Sequence, residues 1–118
     1  MNRMTEQRRA ILGALEKANR PLAPKELLAR AGNISLTTVY RNLKNMVAAG
    51  SVAPVEVVGQ PPRYEVAGLE HHHHFLCETC DQLYDVPGCP GSFERLAPEG
   101  FTVKGHELML TGCCKGCA

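Results

Sequence analysis

The chain has 118 residues, a formal net charge of +1 and 44% hydrophobic residues, enough for one ordinary domain or two very small ones; a module below about 70 residues generally needs a metal, disulfides or a partner subunit to stay folded. No apolar run approaches the roughly 18 residues of a spanning helix, and the amino terminus is polar and basic. Neither a membrane segment nor a signal peptide is therefore expected, and the protein is placed in the cytoplasm. The small net charge conceals an asymmetry: residues 1–66 carry ten Lys/Arg against five Asp/Glu, and residues 67–118 carry three against seven. A basic half suits a polyanion, because neutralising phosphates supplies most non-specific DNA affinity. All six cysteines and all five histidines lie in the acidic half. In a reducing compartment, clustered cysteines point to metal ligands rather than disulfides.

Thr5 is expected to cap a helix over about residues 6–18, whose apolar stripe is Ile11, Leu12, Leu15 and Ala18, with Arg8 and Arg9 beside it. Pro21-Leu22-Ala23-Pro24 breaks the chain, and a short helix from about Pro24 to Ala31 ends at Gly32. Ser35 is an N-cap candidate for a third helix, in which Leu36, Val39, Leu43, Met46 and Val47 recur at helical spacing; Thr37, Thr38, Tyr40, Arg41 and Lys44 are left facing outward. Those outward residues offer donors for phosphates and a guanidinium suited to guanine edges in a major groove. Val52 to Val58 reads as a strand, Gly59-Gln60-Pro61-Pro62 as a turn and Arg63 to Val66 as the return strand. Three helices followed by a hairpin describe a winged helix over residues 1–66. Residues 67–70 read as a hinge and 71–118 as a second domain. In it Phe75-Leu76-Cys77 and Gln82 to Val86 are expected as short strands, 93–96 as a short helix and Phe101 to Thr111 as a final strand.

Cys77-x-x-Cys80 and Cys114-x-x-Cys117 form two thiolate pairs, the pattern that wraps a tetrahedral zinc between a knuckle and another part of the chain. Four thiolates leave no open coordination position, so such a zinc is structural. Cys113 is an alternative to Cys114. The run His71-His72-His73-His74 is internal, unlike an affinity tag, and in extended backbone its alternate side chains point to opposite sides. Four residues then serve two sites, His71 with His73 and His72 with His74. No paired catalytic carboxylates in an evident cleft and no phosphate loop are found, so no enzyme is expected. Two rivals of other classes are a thiol redox protein built on Cys77 and Cys80, and a zinc-ribbon adaptor that binds protein; neither accounts for the winged helix.

Nearly the whole chain resembles the ferric uptake regulator family. The residues that carry the likeness are Thr5-x-Gln7-Arg8-x-x-Ile11-Leu12, Ile34-Ser35-Leu36-Thr37-Thr38-Val39-Tyr40-Arg41-x-Leu43, Arg63-Tyr64-Glu65, the four histidines with Cys77-x-x-Cys80, and His106 ahead of Cys114. The resemblance implies an α+β protein with an amino-terminal winged helix-turn-helix and a small carboxy-terminal α/β dimerisation domain holding structural zinc at Cys77, Cys80, Cys114 and Cys117. It implies a homodimeric regulator, usually a repressor, that binds double-stranded operator DNA when its sensory site is loaded. Tyr40 and Arg41 would read bases and Arg3 would reach a minor groove, with Arg8, Thr37, Thr38 and Lys44 completing the contact face. Glu65, His72, His74 and Asp85 match the family's regulatory metal site, which links wing and dimerisation domain. His71, His73 and His106 match its additional site, for whose last ligand Cys89 and Glu94 are the candidates.

Two departures bear on which metal is sensed. Arg20 stands where iron- and peroxide-sensing members commonly have a histidine, and the stretch between Asp85 and Gly100 is abbreviated. Ala67 stands where zinc-sensing relatives can have a cysteine. A thiolate added to imidazoles shifts preference towards zinc and away from manganese. The second, regulatory metal is accordingly expected to be Zn²⁺, with Fe²⁺ or Mn²⁺ sensing, or a peroxide sensor, as the alternative.

Overall fold

The structure is a computed structural model and describes residues 3–118, with side chains from Thr5 onward. It forms two compact units, divided between Leu69 and Glu70. The first contains α1 (Arg3–Ala18), α2 (Pro24–Ala31), α3 (Leu36–Ala48) and a hairpin of β1 (Val52–Val57) and β2 (Gln60–Val66). Its core is continuous: Ile11, Leu15, Leu22, Leu27, Val39, Leu43, Met46 and Val52 are buried together.

Local chemistry explains the helix ends. Ser35 is extended at the head of α3 and its side chain accepts the Thr38 backbone N–H, satisfying one of the donors a helix start leaves orphaned. At the other end Gly50 donates to Val47 and Ser51 to Met46, each at 3.0 Å. This is a Schellman closure, with Gly50 at φ +80 where a β-carbon would be strained. In α2, Pro24 takes the first turn and Glu26 Oε1 accepts the Ala23 N–H at 3.1 Å. Thr5 is not a cap: α1 begins at Arg3, so Thr5 lies inside its first turns.

The hairpin corrects the expected turn. Val57 pairs with Gln60, so the turn is Val58-Gly59, and Pro61 and Pro62 lie within β2. The pairing shifts between Val55 and Val57, which leaves Glu56 opposite both prolines. A bulge is where a strand tolerates residues with no N–H to donate. The 21–24 segment also does more than break the chain: Leu22 and Tyr64 exchange backbone hydrogen bonds of 2.9 Å each, adding a bridge to the wing.

The second unit is a three-stranded sheet in the order β4-β3-β5, with β3 (His72–Cys77) central, β4 (Leu83–Pro87) antiparallel to it and β5 (Met109–Gly112) parallel. His72, His73 and His74 belong to β3, which is longer than Phe75 to Cys77, and His71 immediately precedes it. Helix in this unit reduces to one 3-10 turn, Glu94–Leu96. The final strand is confined to Met109–Gly112; residues 101–108 are irregular, because β5 reaches β3 only from His74 onward. There the strands come close, and a β-carbon on Gly112 would lie 3.3 Å from the Phe75 ring. Among the described residues, the buried hydrophobic positions of this unit are Cys77 and Leu83 alone.

Replacing Ser35 by alanine is expected to cost about 1 kcal/mol of stability in the first unit. Urea unfolding of the whole chain followed by helical circular dichroism measures this.

Candidate metal centres and nucleic-acid face

Three groups of ligand-type side chains converge in the structure, and β3 contributes to all of them. The first gathers Cys77, Cys80, Cys114 and Cys117, whose sulfurs all lie within 4.8 Å of one another. Cys77 closes β3, and a tight turn with Asp81 at φ +62, its N–H bonded to the Cys77 carbonyl at 2.9 Å, brings Cys80 back beside it. Cys80 and Cys114 sulfurs are 3.8 Å apart. Four sulfurs at ~2.3 Å around a tetrahedral zinc stand about 3.8 Å from one another, so the spacing fits the metal and not a disulfide; all six cysteines are free thiols. The backbone N–H groups of Cys80 and Cys114 point at the Cys77 sulfur at 3.4 and 3.3 Å and lower its pKa to about 6. Hydrogen bonds from Tyr84 and Cys117 lower Cys114 as well, whereas Cys117, beside the Cys114 sulfur, is pushed up to about 12. Four thiols this close do not all ionise without a cation among them. Cys113 is exposed, its sulfur 3.4 Å from Thr79 Oγ1, and stands outside the quartet.

The second group is built on the opposite alternation of β3. Asp85 on β4 sits directly across from His74, and its Oδ1 lies 3.7 Å from His72 Nε2 and 3.5 Å from His74 Nε2. His72 Nδ1 is 2.7 Å from the Glu70 carbonyl; donation of that N–H leaves the Nε2 lone pair towards Asp85. A carbonyl that accepts from the nitrogen not facing the metal fixes the tautomer a metal-ligating histidine needs. Glu65, the fourth residue expected here, lies on β2 in the first unit.

The third group joins His71, His73, Cys89 and His106. His106 Nε2 is 3.1 Å from His71 Nε2 and 3.2 Å from the Cys89 sulfur. His73 is 2% exposed, and its Nε2 is buried without a hydrogen-bond partner. Burial, then the adjacent His71 and His106, hold its imidazole below the ordinary histidine pKa, in the neutral form that ligates. A buried, unsatisfied imidazole nitrogen facing three other donors fits a divalent ion. Of the two candidates for the last ligand, Cys89 stands in this group; Glu94, in the 3-10 turn, does not join it.

On the first unit, Thr37, Tyr40, Arg41 and Lys44 of α3 are exposed, as is Arg8 on α1. Thr38 is half-buried, its hydroxyl 2.9 Å from Ser35 Oγ and so engaged in the helix cap. The Arg3 side chain lies outside the described residues. Asn42, passed over in the sequence, is 2% exposed and donates to the Thr38 carbonyl at 2.9 Å and to Gln7 Oε1 at 3.4 Å, linking α3 to α1. Arg20 forms a 2.9 Å ion pair with Glu26.

Residues 2–111 match the ferric uptake regulator family. The chain belongs to that family. It is 35% identical to a ferric uptake regulation protein of Rhizobium leguminosarum bv. viciae, over 93% of this chain and 82% of that protein. A solved zinc-bound manganese uptake regulator superposes with a TM-score of 0.77 at 33% identity, covering 96% of this chain and 91% of the other. A zinc uptake regulator of Mycobacterium tuberculosis is 34% identical, with a TM-score of 0.52 and coverage of 98% and 95%. Iron, manganese and zinc uptake regulators are thus alike at similar identity. Members of the ferric uptake regulator family are metal-responsive transcriptional regulators, and this chain is one of them rather than an enzyme. Among the described residues no helix is long and apolar enough to cross a membrane.

Cys77→Ser or Cys117→Ser is expected to lower tightly bound zinc by about one per chain and to unfold the carboxy-terminal half, since a metal module of this size loses its folding energy with a ligand. Metal analysis together with circular dichroism checks both effects.

Proposed function

We propose that this chain is a zinc-responsive cytoplasmic repressor that binds double-stranded operator DNA as a homodimer. The observation that carries the metal preference is Cys89, whose sulfur lies 3.2 Å from His106 Nε2 in a group otherwise made of imidazoles. Three nitrogens and a thiolate suit zinc better than manganese or iron. Arg20 supports the same reading: its guanidinium is held by Glu26 at 2.9 Å, and a side chain that is always protonated adds a positive charge and no ligand. Iron or manganese sensing is the alternative reading, favoured by the nitrogen and oxygen donors His72, His74 and Asp85 together with Glu65.

Each group has a distinct task. Cys77, Cys80, Cys114 and Cys117 hold a structural zinc, which supplies the cross-link that a nearly coreless sheet lacks. Glu65, His72, His74 and Asp85 form the regulatory site, and His71, His73, Cys89 and His106 the additional one. Occupancy of a sensory site that favours the DNA-competent state with a coupling of about 1 to 3 kcal/mol changes operator affinity roughly 5- to 150-fold. On the DNA side, Tyr40 and Arg41 face the base edges from α3, where a guanidinium pairs with guanine in the major groove. Lys44 and Arg8 neutralise phosphates and the Thr37 hydroxyl donates to them, with Thr38 ordering the start of the helix and Arg3 as the candidate for a minor-groove contact. A second copy of the chain supplies the second recognition helix for a two-fold operator.

Arg41→Ala is expected to weaken operator binding by about 1 to 3 kcal/mol and to relax sequence preference, whereas Arg8→Ala lowers affinity evenly across sequences and reduces the salt slope by about one. Fluorescence anisotropy with operator and scrambled duplexes over a range of salt separates the two; binding that ignores salt rules the nucleic-acid reading out. The metal preference is tested by titrating operator binding, in protein that keeps its structural zinc, against buffered Zn²⁺, Fe²⁺ and Mn²⁺. Zinc is expected to activate at the lowest free concentration and Cys89→Ser to shift that activation to higher zinc. Activation by Fe²⁺ or Mn²⁺ alone, with Cys89→Ser unaffected, contradicts it.

A further inference from the structure

The stretch between β4 and β5, residues 88–108, holds one 3-10 turn and no strand. Its backbone hydrogen bonds from Phe93 to Phe101 are all local, such as Leu96 to Phe93 and Phe101 to Pro98. Among the described residues, the first backbone bond to the sheet comes only at its far end, from the His74 N–H to the Leu108 carbonyl at 3.4 Å. Apolar packing does not anchor it either, since Leu96 is 80% and Phe101 70% exposed. What ties the segment to β3 is its pair of ligand-type residues, 17 positions apart. Cys89 and His106 meet at 3.2 Å, His106 reaches His71 at 3.1 Å, and the Phe93 ring packs edge-on against the His106 ring at 4.4 Å. Both ends of the segment thus converge on one point of the sheet, where His73 keeps a buried nitrogen with no hydrogen-bond partner.

We infer that His71, His73, Cys89 and His106 work as a metal-dependent staple: a divalent ion held by these four residues pins segment 88–106 to β3, and the segment detaches when the ion leaves. The inference rests on the metal-binding reading of this group and adds what its occupancy does. Electron-rich donors at 3.1 and 3.2 Å do not hold one another without a proton or a cation between them, and closing a loop of this length on those donors alone leaves the chain entropy uncompensated. With His73 on β3, His71 immediately before it and the other two donors on the irregular segment, every ligand bond to Cys89 or His106 opposes detachment. The response is therefore local, and it is carried by a residue that distinguishes thiophilic from oxygen-seeking ions.

Trypsin reads the detachment directly, because Arg95 and Lys104 both lie in the segment and are exposed. The full-length protein, retaining zinc at its four clamping cysteines and free of DNA, is digested at low and at saturating buffered Zn²⁺ and the fragments are assigned by mass. Saturating zinc is expected to slow cleavage at both sites at least about tenfold, since proteolysis follows the open population. Cys89→Ser is expected to lose most of that protection, while Cys113→Ser keeps it. The same proteins given Co²⁺ in place of the added zinc are expected to show a sulfur-to-cobalt charge-transfer absorption in the wild type and in Cys113→Ser but not in Cys89→Ser. Cleavage indifferent to zinc in the wild type, equal protection in Cys89→Ser, or the absorption persisting in that variant overturns the staple. Because no DNA is present, failure here leaves the operator-binding reading standing, and failure of operator binding leaves the protection unchanged.

Discussion

Everything in the carboxy-terminal unit depends on the convergence of four cysteine sulfurs at the end of β3. A sheet of three strands, of six, five and four residues, with Cys77 and Leu83 as its buried hydrophobic positions, removes far too little apolar surface from water to offset the chain entropy of ordering it. Joined by the proposed zinc, the four thiolates would substitute for that core. They would tie the turn after β3 to the turn after β5, and thereby hold β5 parallel to β3, a pairing that no short hairpin could enforce. The amino-terminal unit needs no such device: its helices and wing close over Ile11, Leu22, Leu27, Val39 and Leu43, each no more than 1% exposed.

From that constraint follows the crowding of metal chemistry onto one strand. β3 presents His72 and His74 towards Asp85, His73 to the opposite side, and Cys77 to the clamp, so a period-two backbone sorts adjacent ligands into separate groups. Ions shared among these groups, as proposed, would offset the cost of placing so many polar side chains on a central strand. The electrostatics point the same way: N–H groups aimed at Cys77 bring its pKa to about 6 while Cys117 is pushed up to about 12, a set that only a cation allows to ionise together. Arg20 illustrates the complementary case in the first unit, a charge paired with Glu26 and donating as well to the Pro21 carbonyl.

Features legible in the sequence were those fixed by local rules. Ser35 as a cap, Gly32 as a stop, the alternating histidines and the spacing of the two thiolate pairs each depend on a few neighbouring residues, and each appears where those rules place it. Longer-range pairing was not legible. Nothing local in Pro21-Leu22-Ala23 announces that Leu22 bridges Tyr64, and Gln60-Pro61-Pro62 has the composition of a turn although the bulge opposite Glu56 draws it into β2. Alternation from Phe101 onward suggested a strand, but a strand needs a partner, and β3 offers one only to Met109–Gly112. Asn42 escaped notice because a polar residue on a helix reads as exposed until the neighbouring α1 places Gln7 beside it. Cys89 and His106 are separated by 17 residues, so their meeting is a property of the fold.

Whether metal ligation replaces a hydrophobic core in one unit and not in the other is measured by hydrogen exchange of the full chain read residue by residue, first stripped of metal by a strong chelator and then given one equivalent of zinc. Stripping is expected to abolish protection in β3, β4 and β5 while α1, α2, α3 and the wing keep theirs, and one equivalent of zinc to restore the strands nearest Cys77 and Cys114. Protection of the three strands that survives removal of the metal would contradict that replacement.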